Sequence, residues 1–184
     1  MSWSDREKST DRRGVRVPPR STSGIRSITK SARSLFAVDT PRVDVVRLLE
    51  HTLHELGVQY EYCSAAEMNG DEGLTYPNTG VVMIREDVAE AAYQEEGRAR
   101  FTIIHEIGHL VLHQGVPFAR TQASNHKIYE DSEWQADTFA AEFLMPVEAV
   151  VLCRSVEEVM QTFGVSRAAA ESRLRKLRKE GLLR

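Results

Sequence analysis

Residues 101–113, FTIIHEIGHLVLH, constrain the fold more than any other stretch of the chain. Phe101, Ile104, His105, Gly108, His109 and Leu112 recur at helical spacing, and Ile103, Ile107, Leu110 and Val111 make the opposite side apolar as well. The pattern predicts a helix buried over most of its circumference. Such a helix cannot carry two imidazoles and a carboxylate without partners. Residues four apart lie one above the other, so His105 and His109 can address a single metal ion with Glu106 beside it, the His-Glu-x-x-His arrangement of zinc hydrolases. Gly108 costs about 1 kcal/mol relative to alanine in mid-helix, which implies that another element packs closely against it.

Two histidines leave a catalytic zinc one protein ligand short, since three such ligands and an open position are the rule. Glu133, at the start of the downstream segment SEWQADTFAAEFLM, is the candidate third ligand. Asp137 lies four residues further on the same helical face, where it can accept the outer ring N–H of His105 or His109. His113 competes for the third position. Three ligands spaced by four residues would spread over about 12 Å of helix, too far to share one ion, which leaves His113 as an outer group or a helix C-terminal cap.

The formal charge of −3 conceals an uneven distribution. Residues 1–38 carry nine basic against three acidic side chains, residues 39–153 seven against twenty, and residues 154–184 eight against four. An acidic body between basic ends does not look like a nucleic-acid surface, although the ends could be one. Cys63 and Cys153 are too few and too far apart for a disulfide framework and read as reduced thiols. The N-terminus has no apolar core of the kind a signal peptide needs, and no later run is apolar for about eighteen residues. A cytoplasmic protein without a membrane anchor is expected.

In chain order, residues 1–38 are rich in Ser, Thr, Arg, Pro and Gly and read as a flexible basic arm. Thr40 and Pro41 are expected to open a helix that ends at Gly57. Val58–Cys63 and Val81–Ile84 read as strands, with a short strand at Leu74–Tyr76, giving a small antiparallel sheet ahead of the metal helix. Val81–Ile84 is a candidate for pairing with an extended substrate peptide. A loop from Val116 to Asp131 carries His126 and Tyr129, either of which is a candidate stabiliser of a reaction oxyanion. The second helix runs from Ser132, as cap, to Met145 before Pro146. Residues 155–183 read as a helix-turn-helix-like hairpin with a turn at Gly164-Val165 and Ser166 as cap. Its basic second helix places Arg167, Arg173, Arg175 and Lys176 where a DNA-binding protein would contact phosphates or bases. The preferred reading is a hairpin packed on the body with its charges in water.

HEIGHLVLH followed by EWQADTFAAEFLMP resembles the ImmA/IrrE family of metallopeptidases, over roughly Arg98 to Pro146 and more loosely on either side. The family pairs a His-Glu-x-x-His helix with a Glu-x-x-Ala-Asn/Asp-x-Phe-Ala-Ala-x-Leu-Leu-Met-Pro helix. Two departures are Phe143 in place of leucine and Asp137 where asparagine is common, neither at a proposed ligand. The resemblance implies an α+β, zincin-like fold, mostly helical, with His105, His109 and Glu133 as metal ligands and Glu106 as catalytic base. The domain organisation expected is an arm over 1–38, a metallopeptidase domain over 39–153 and a C-terminal hairpin over 154–184.

The function implied is a zinc-dependent endopeptidase, with manganese or iron also compatible with two imidazoles and a carboxylate. The resemblance points to a helix-turn-helix transcriptional repressor as the protein substrate, in a mobile-element or stress-response circuit. Two alternatives come from other classes: a non-proteolytic metal-binding toxin or regulatory partner of an antitoxin-like protein, and a DNA-binding regulator working through the C-terminal helices. An intact Glu106 favours the peptidase, because a structural metal site closes its fourth position and needs no base.

Overall fold

A computed structural model describes residues 14–116 and 126–183 of the 184-residue chain. The first part of the expected arm and residues 117–125 of the expected loop lie outside the described residues. The fold is α+β: a helical body with one small sheet preceding the helix that carries the His-Glu-x-x-His pattern.

The sheet contains β1 (Gln59–Cys63), β2 (Gly73–Tyr76) and β3 (Val81–Arg85) in the order β1-β3-β2. β2 and β3 form an antiparallel hairpin, but β1 pairs parallel to β3, so the sheet is mixed and not antiparallel throughout. Residues 64–72 carry the chain past the centre of the sheet, and β2 therefore joins on the far side of β3. With both its edges occupied, β3 cannot add a substrate strand, contrary to expectation. Among the described residues, the unpaired edge beside the helix that carries His105 and His109 belongs to β2. Arg85 donates its backbone N–H to the Glu72 carbonyl, which sets the alternation of the antiparallel pair. Leu74 and Tyr76 then turn their backbone groups toward β3, and Gly73 and Thr75 turn theirs to the open edge.

The helices α4 (Gly97–Leu112) and α5 (Ser132–Leu144) pack along each other to form the centre of the molecule. Ile103, Ile104 and Ile107 from α4 and Ala136, Phe139, Ala140 and Phe143 from α5 are fully buried. A Cβ at Gly108 would stand 3.1 Å from the Phe139 ring and 3.2 Å from the Ala136 carbonyl oxygen, which is the close neighbour that the mid-helix glycine implied. The cap of α5 is Asp131, whose carboxylate accepts from Trp134 N, and not Ser132.

Two N-terminal expectations are corrected. Residues 14–38 are not a flexible arm: α1 (Thr22–Leu35) starts at a Ser21 cap, and Ile25, Thr29 and Ala32, at helical spacing, are buried against α5. Ahead of it, Val17 donates to the Glu130 carbonyl and Arg20 to the Tyr129 carbonyl, so this strap is stitched to residues 129–132. The next helix does not open at Thr40-Pro41. Asp44 caps α2 (Val45–Arg47), which continues as a π-helical segment Leu48–Leu53. Its Leu48, Leu49 and Leu53 are buried.

After α3 (Glu86–Tyr93) and α4, the chain passes through α5, α6 (Val147–Val150), α7 (Val156–Phe163) and α8 (Arg167–Lys179). Gly164 adopts φ +63° at the α7–α8 turn, a conformation a side chain would strain. The Arg100 guanidinium fills this corner, donating to the carbonyls of Gly164 at 2.9 Å and Val43 at 2.7 Å. Arg173 is buried and donates both terminal nitrogens to the Glu142 carboxylate, at 2.7 and 2.6 Å, while Arg26 on α1 donates to the same carboxylate at 2.9 Å. Glu142 thus ties α1, α5 and α8 together.

Candidate metal centre

α4 supplies His105 and His109 from one face, one turn apart, and the first turn of α5 supplies Glu133 opposite them. The two Nε2 atoms lie 3.0 Å apart. Glu133 places one carboxylate oxygen 3.3 Å from each. Among the described residues these three form the cluster whose ligand atoms all fall within 4.8 Å of one another. The sequence-derived ligands therefore converge, although Glu133 is separated from His105 by the loop and a helix start.

The outer nitrogens of both rings are engaged. His105 Nδ1 is 2.8 Å from Asp137 Oδ1, the outer partner expected for one of the two histidines. His109 Nδ1 is 3.1 Å from Nδ1 of His113, which is fully buried at the C-terminal cap of α4 and lies in turn 3.3 Å from Gln135 Oε1. With their Nδ1 atoms so occupied, the Nε2 lone pairs and the Glu133 carboxylate point into one small volume. Three electron-pair donors crowded together fit a cation. The same preference shows in the titration of the site. Burial lowers the affinity of His105 for a proton, but hydrogen bonds to Asp137 and Glu133 outweigh it and raise the imidazole to about 10. Burial opposes ionisation of Glu133 too, yet the two histidines hold its carboxyl well below the usual range. His113 behaves in the opposite way: burial, reinforced by the neighbouring His109, lowers it to about 4, so the ring is neutral. Asp137→Ala is expected to weaken metal binding by about 10–100-fold while leaving the fold intact, measured by competition with a chelating dye.

Glu106 projects from α4 toward β2 and is 6% exposed. Thr75 Oγ1 donates to its Oε2 at 2.7 Å. Gly73 lies against the same group: a Cβ there would be 2.5 Å from Glu106 Cγ and 2.7 Å from Oε1. A bare glycine and a threonine hydroxyl on the strand thus cradle the carboxylate. His105, Glu106, Glu133 and Asp137 line an open cleft of about 1300 Å³ that continues past Phe101, Trp134 and Met145 to Ala169 and Lys176 on α8. The C-terminal hairpin is a wall of this cleft.

The two candidate oxyanion stabilisers are placed elsewhere. His126 is buried, with Nε2 on Asp131 Oδ2 at 2.8 Å, and helps to brace the start of α5. The Tyr129 carbonyl accepts from Arg20 and Gln135, and its ring lies under the Lys127 ammonium. Neither side chain lines the cleft. Gly73, Thr75 and Gln135 were not singled out in the sequence. Gln135 carried one usable signal, a polar residue on the buried side of α5 between a ligand and Asp137.

Residues 53–175 match the model of a peptidase family described as the IrrE N-terminal-like domain. No curated protein matches the chain at a significant level. The family is one of metallopeptidases, in keeping with the histidine–glutamate cluster. Because the match spans well over half of the sequence and contains the metal cluster, Glu106 and most of the cleft, the chain belongs to the IrrE N-terminal-like family of peptidases.

Proposed function

We propose that the protein is a zinc-dependent endopeptidase acting in the cytoplasm on a specific protein, a helix-turn-helix transcriptional repressor. The observation that carries the catalytic part is the placement of Glu106 in the same cleft as His105 and Glu133 of the cluster, held by Thr75 and Gly73 and, among the described residues, not paired with a cation. A structural metal site has no use for a buried, tethered carboxylate beside it. The choice of substrate follows from the resemblance to the ImmA/IrrE family and not from the cleft.

Zinc in this site would act as a Lewis acid on the scissile carbonyl and make water a competent nucleophile near neutral pH. The remaining steps belong to the chain. Glu106 removes the proton from the attacking water and returns one to the leaving amine. Thr75 fixes the carboxylate so that the transfer needs no side-chain search. The outward backbone groups of Gly73 and Thr75 hold the substrate as an extended strand, which aligns its carbonyl with the cluster. The donor set of two imidazoles and one carboxylate also accepts manganese or iron. A DNA-binding role for the C-terminal helix is disfavoured by its own side chains: Arg173 is buried on Glu142, and Arg167 is paired with Glu157.

The test mixes metal-stripped and zinc-reloaded protein with the helix-turn-helix repressors of its own genome, each purified as a candidate partner, and maps new termini by mass spectrometry. Discrete fragments are expected only after reloading. Candidates that all stay intact in both samples would overturn the proposal.

A further inference from the structure

We infer that His113 and Gln135 are positioning residues for the metal centre, fixing which nitrogen of His109 faces the cluster through a hydrogen-bond relay that ends on the N-terminal strap. The inference rests on His105, His109 and Glu133 holding a cation. The direction of the relay follows from its buried end. Gln135 Nε2 lies 2.9 Å from the Pro18 carbonyl oxygen and 2.8 Å from the Tyr129 carbonyl oxygen. Carbonyl oxygens only accept, so both amide hydrogens are committed, and a reversed amide would set oxygen against oxygen twice. Gln135 Oε1 must therefore face His113 Nε2, 3.3 Å away, and it too can only accept. His113 Nε2 carries the hydrogen.

The Nδ1–Nδ1 contact of His113 with His109, 3.1 Å, has room for one hydrogen, and with Nε2 of His109 turned to the ligand cluster that hydrogen belongs to His109 Nδ1, so His113 Nδ1 accepts. His109 then holds its hydrogen on Nδ1 and leaves Nε2 bare toward His105 and Glu133. No charge is moved along the chain. What is transmitted is tautomer, from a backbone carbonyl to a ligand atom, across three side chains. His105 is served differently, by the Asp137 carboxylate at the solvent edge.

The far end of the relay depends on residues that precede the family match at residue 53. The Pro18 carbonyl is delivered by the flanking bonds from Val17 N to Glu130 O, 2.8 Å, and from Arg20 N to Tyr129 O, 2.9 Å. Arg20 also donates to the Leu112 carbonyl at the end of α4. The strap thus takes part in setting the metal centre, which gives a purpose to a segment whose composition suggested only a solvated tail.

The test uses the full chain with Gln135→Leu, which removes the acceptor for His113, and His113→Phe as a second variant. Nitrogen-15 NMR of the metal-free protein reads the tautomer of His109, and zinc affinity is measured by dye competition. Wild type is expected to show His109 protonated on Nδ1. Gln135→Leu should show mixed tautomers and bind zinc about 10–100-fold more weakly, a change that a purely structural role would not produce in the NMR signature. A folded Gln135→Leu protein with wild-type tautomer and zinc affinity overturns the relay alone. Wild-type protein that takes up no zinc overturns the metal centre and the relay with it. If neither variant folds, the wild-type spectrum still decides, because His109 protonated on Nε2 excludes the relay.

Discussion

Replacing Glu142 by alanine is expected to destabilise the protein by about 3–5 kcal/mol, the cost of leaving a buried charge without its partner. Arg173 has no exposed side-chain surface, and its guanidinium meets both Glu142 oxygens. Its Nε donates to the Met145 carbonyl, so the side chain cannot swing into water without releasing the turn after α5. Arg26 loses the same carboxylate and keeps Glu180. For a chain of this size the loss corresponds to a fall in Tm of roughly 6–20 °C, read by calorimetry. The pair also makes stability depend on pH. Burial disfavours the charged carboxylate, but the hydrogen bonds from Arg173 and Arg26 outweigh it and hold Glu142 below the ordinary value of 4.5. A depressed carboxyl contributes its full stabilisation above the unfolded value and loses it as pH falls through the folded one. Wild type should therefore lose stability below about pH 4.5 more steeply than Glu142→Gln; identical acid profiles would show that the pair does not couple folding to protons.

What could be read in advance, and what could not, divides by sequence distance and by the nature of burial. The ligand pair on α4 was legible because a helix places residues four apart by local geometry alone. Glu133 and Asp137 were legible as candidates from the missing ligand and their four-residue spacing, and the family pattern reinforced them, but their approach to α4 is tertiary and only the fold displays it. Residues 14–38 did not read as structured because Ile25, Thr29 and Ala32 are diluted among serines and arginines, so their helical period is easily lost in a polar composition. Strand order was beyond reach for the same reason that register is: the parallel pairing of β1 with β3 follows from where residues 64–72 cross, and no residue in either strand encodes it. Arg173 was expected in water with the other charges of the hairpin, and nothing in the sequence set Arg100 apart. Both are buried because carbonyls and one carboxylate satisfy them, an arrangement composition cannot reveal. Gly73 and Thr75 sat in an unremarkable turn and short strand, and only their position opposite Glu106 gives them meaning.

Glu106→Gln is expected to reduce cleavage by about 10²–10⁴-fold, the contribution of a placed general base, with metal content unchanged because the glutamate is not among the clustered ligands. Persistent cleavage by that variant, with metal bound, would remove Glu106 from the mechanism. The cradle permits a stricter test that leaves the carboxylate in place. Gly73 has an ordinary backbone conformation, so an alanine there pays no torsional penalty, and its only effect is contact. The added methyl would stand 2.5 Å from Glu106 Cγ and 2.7 Å from Oε1, distances at which the side chain must move. Displacement of a base by about 1 Å costs on the order of 100-fold in rate. Gly73→Ala should accordingly lose about that factor in kcat while binding metal like wild type, because His105, His109 and Glu133 lie on helices the strand does not carry. Thr75→Val, which removes the hydroxyl without filling the cradle, should lose less. Were Gly73→Ala to cleave at the wild-type rate, the position of Glu106 against β2 would have no part in catalysis, and the base would have to act from another rotamer.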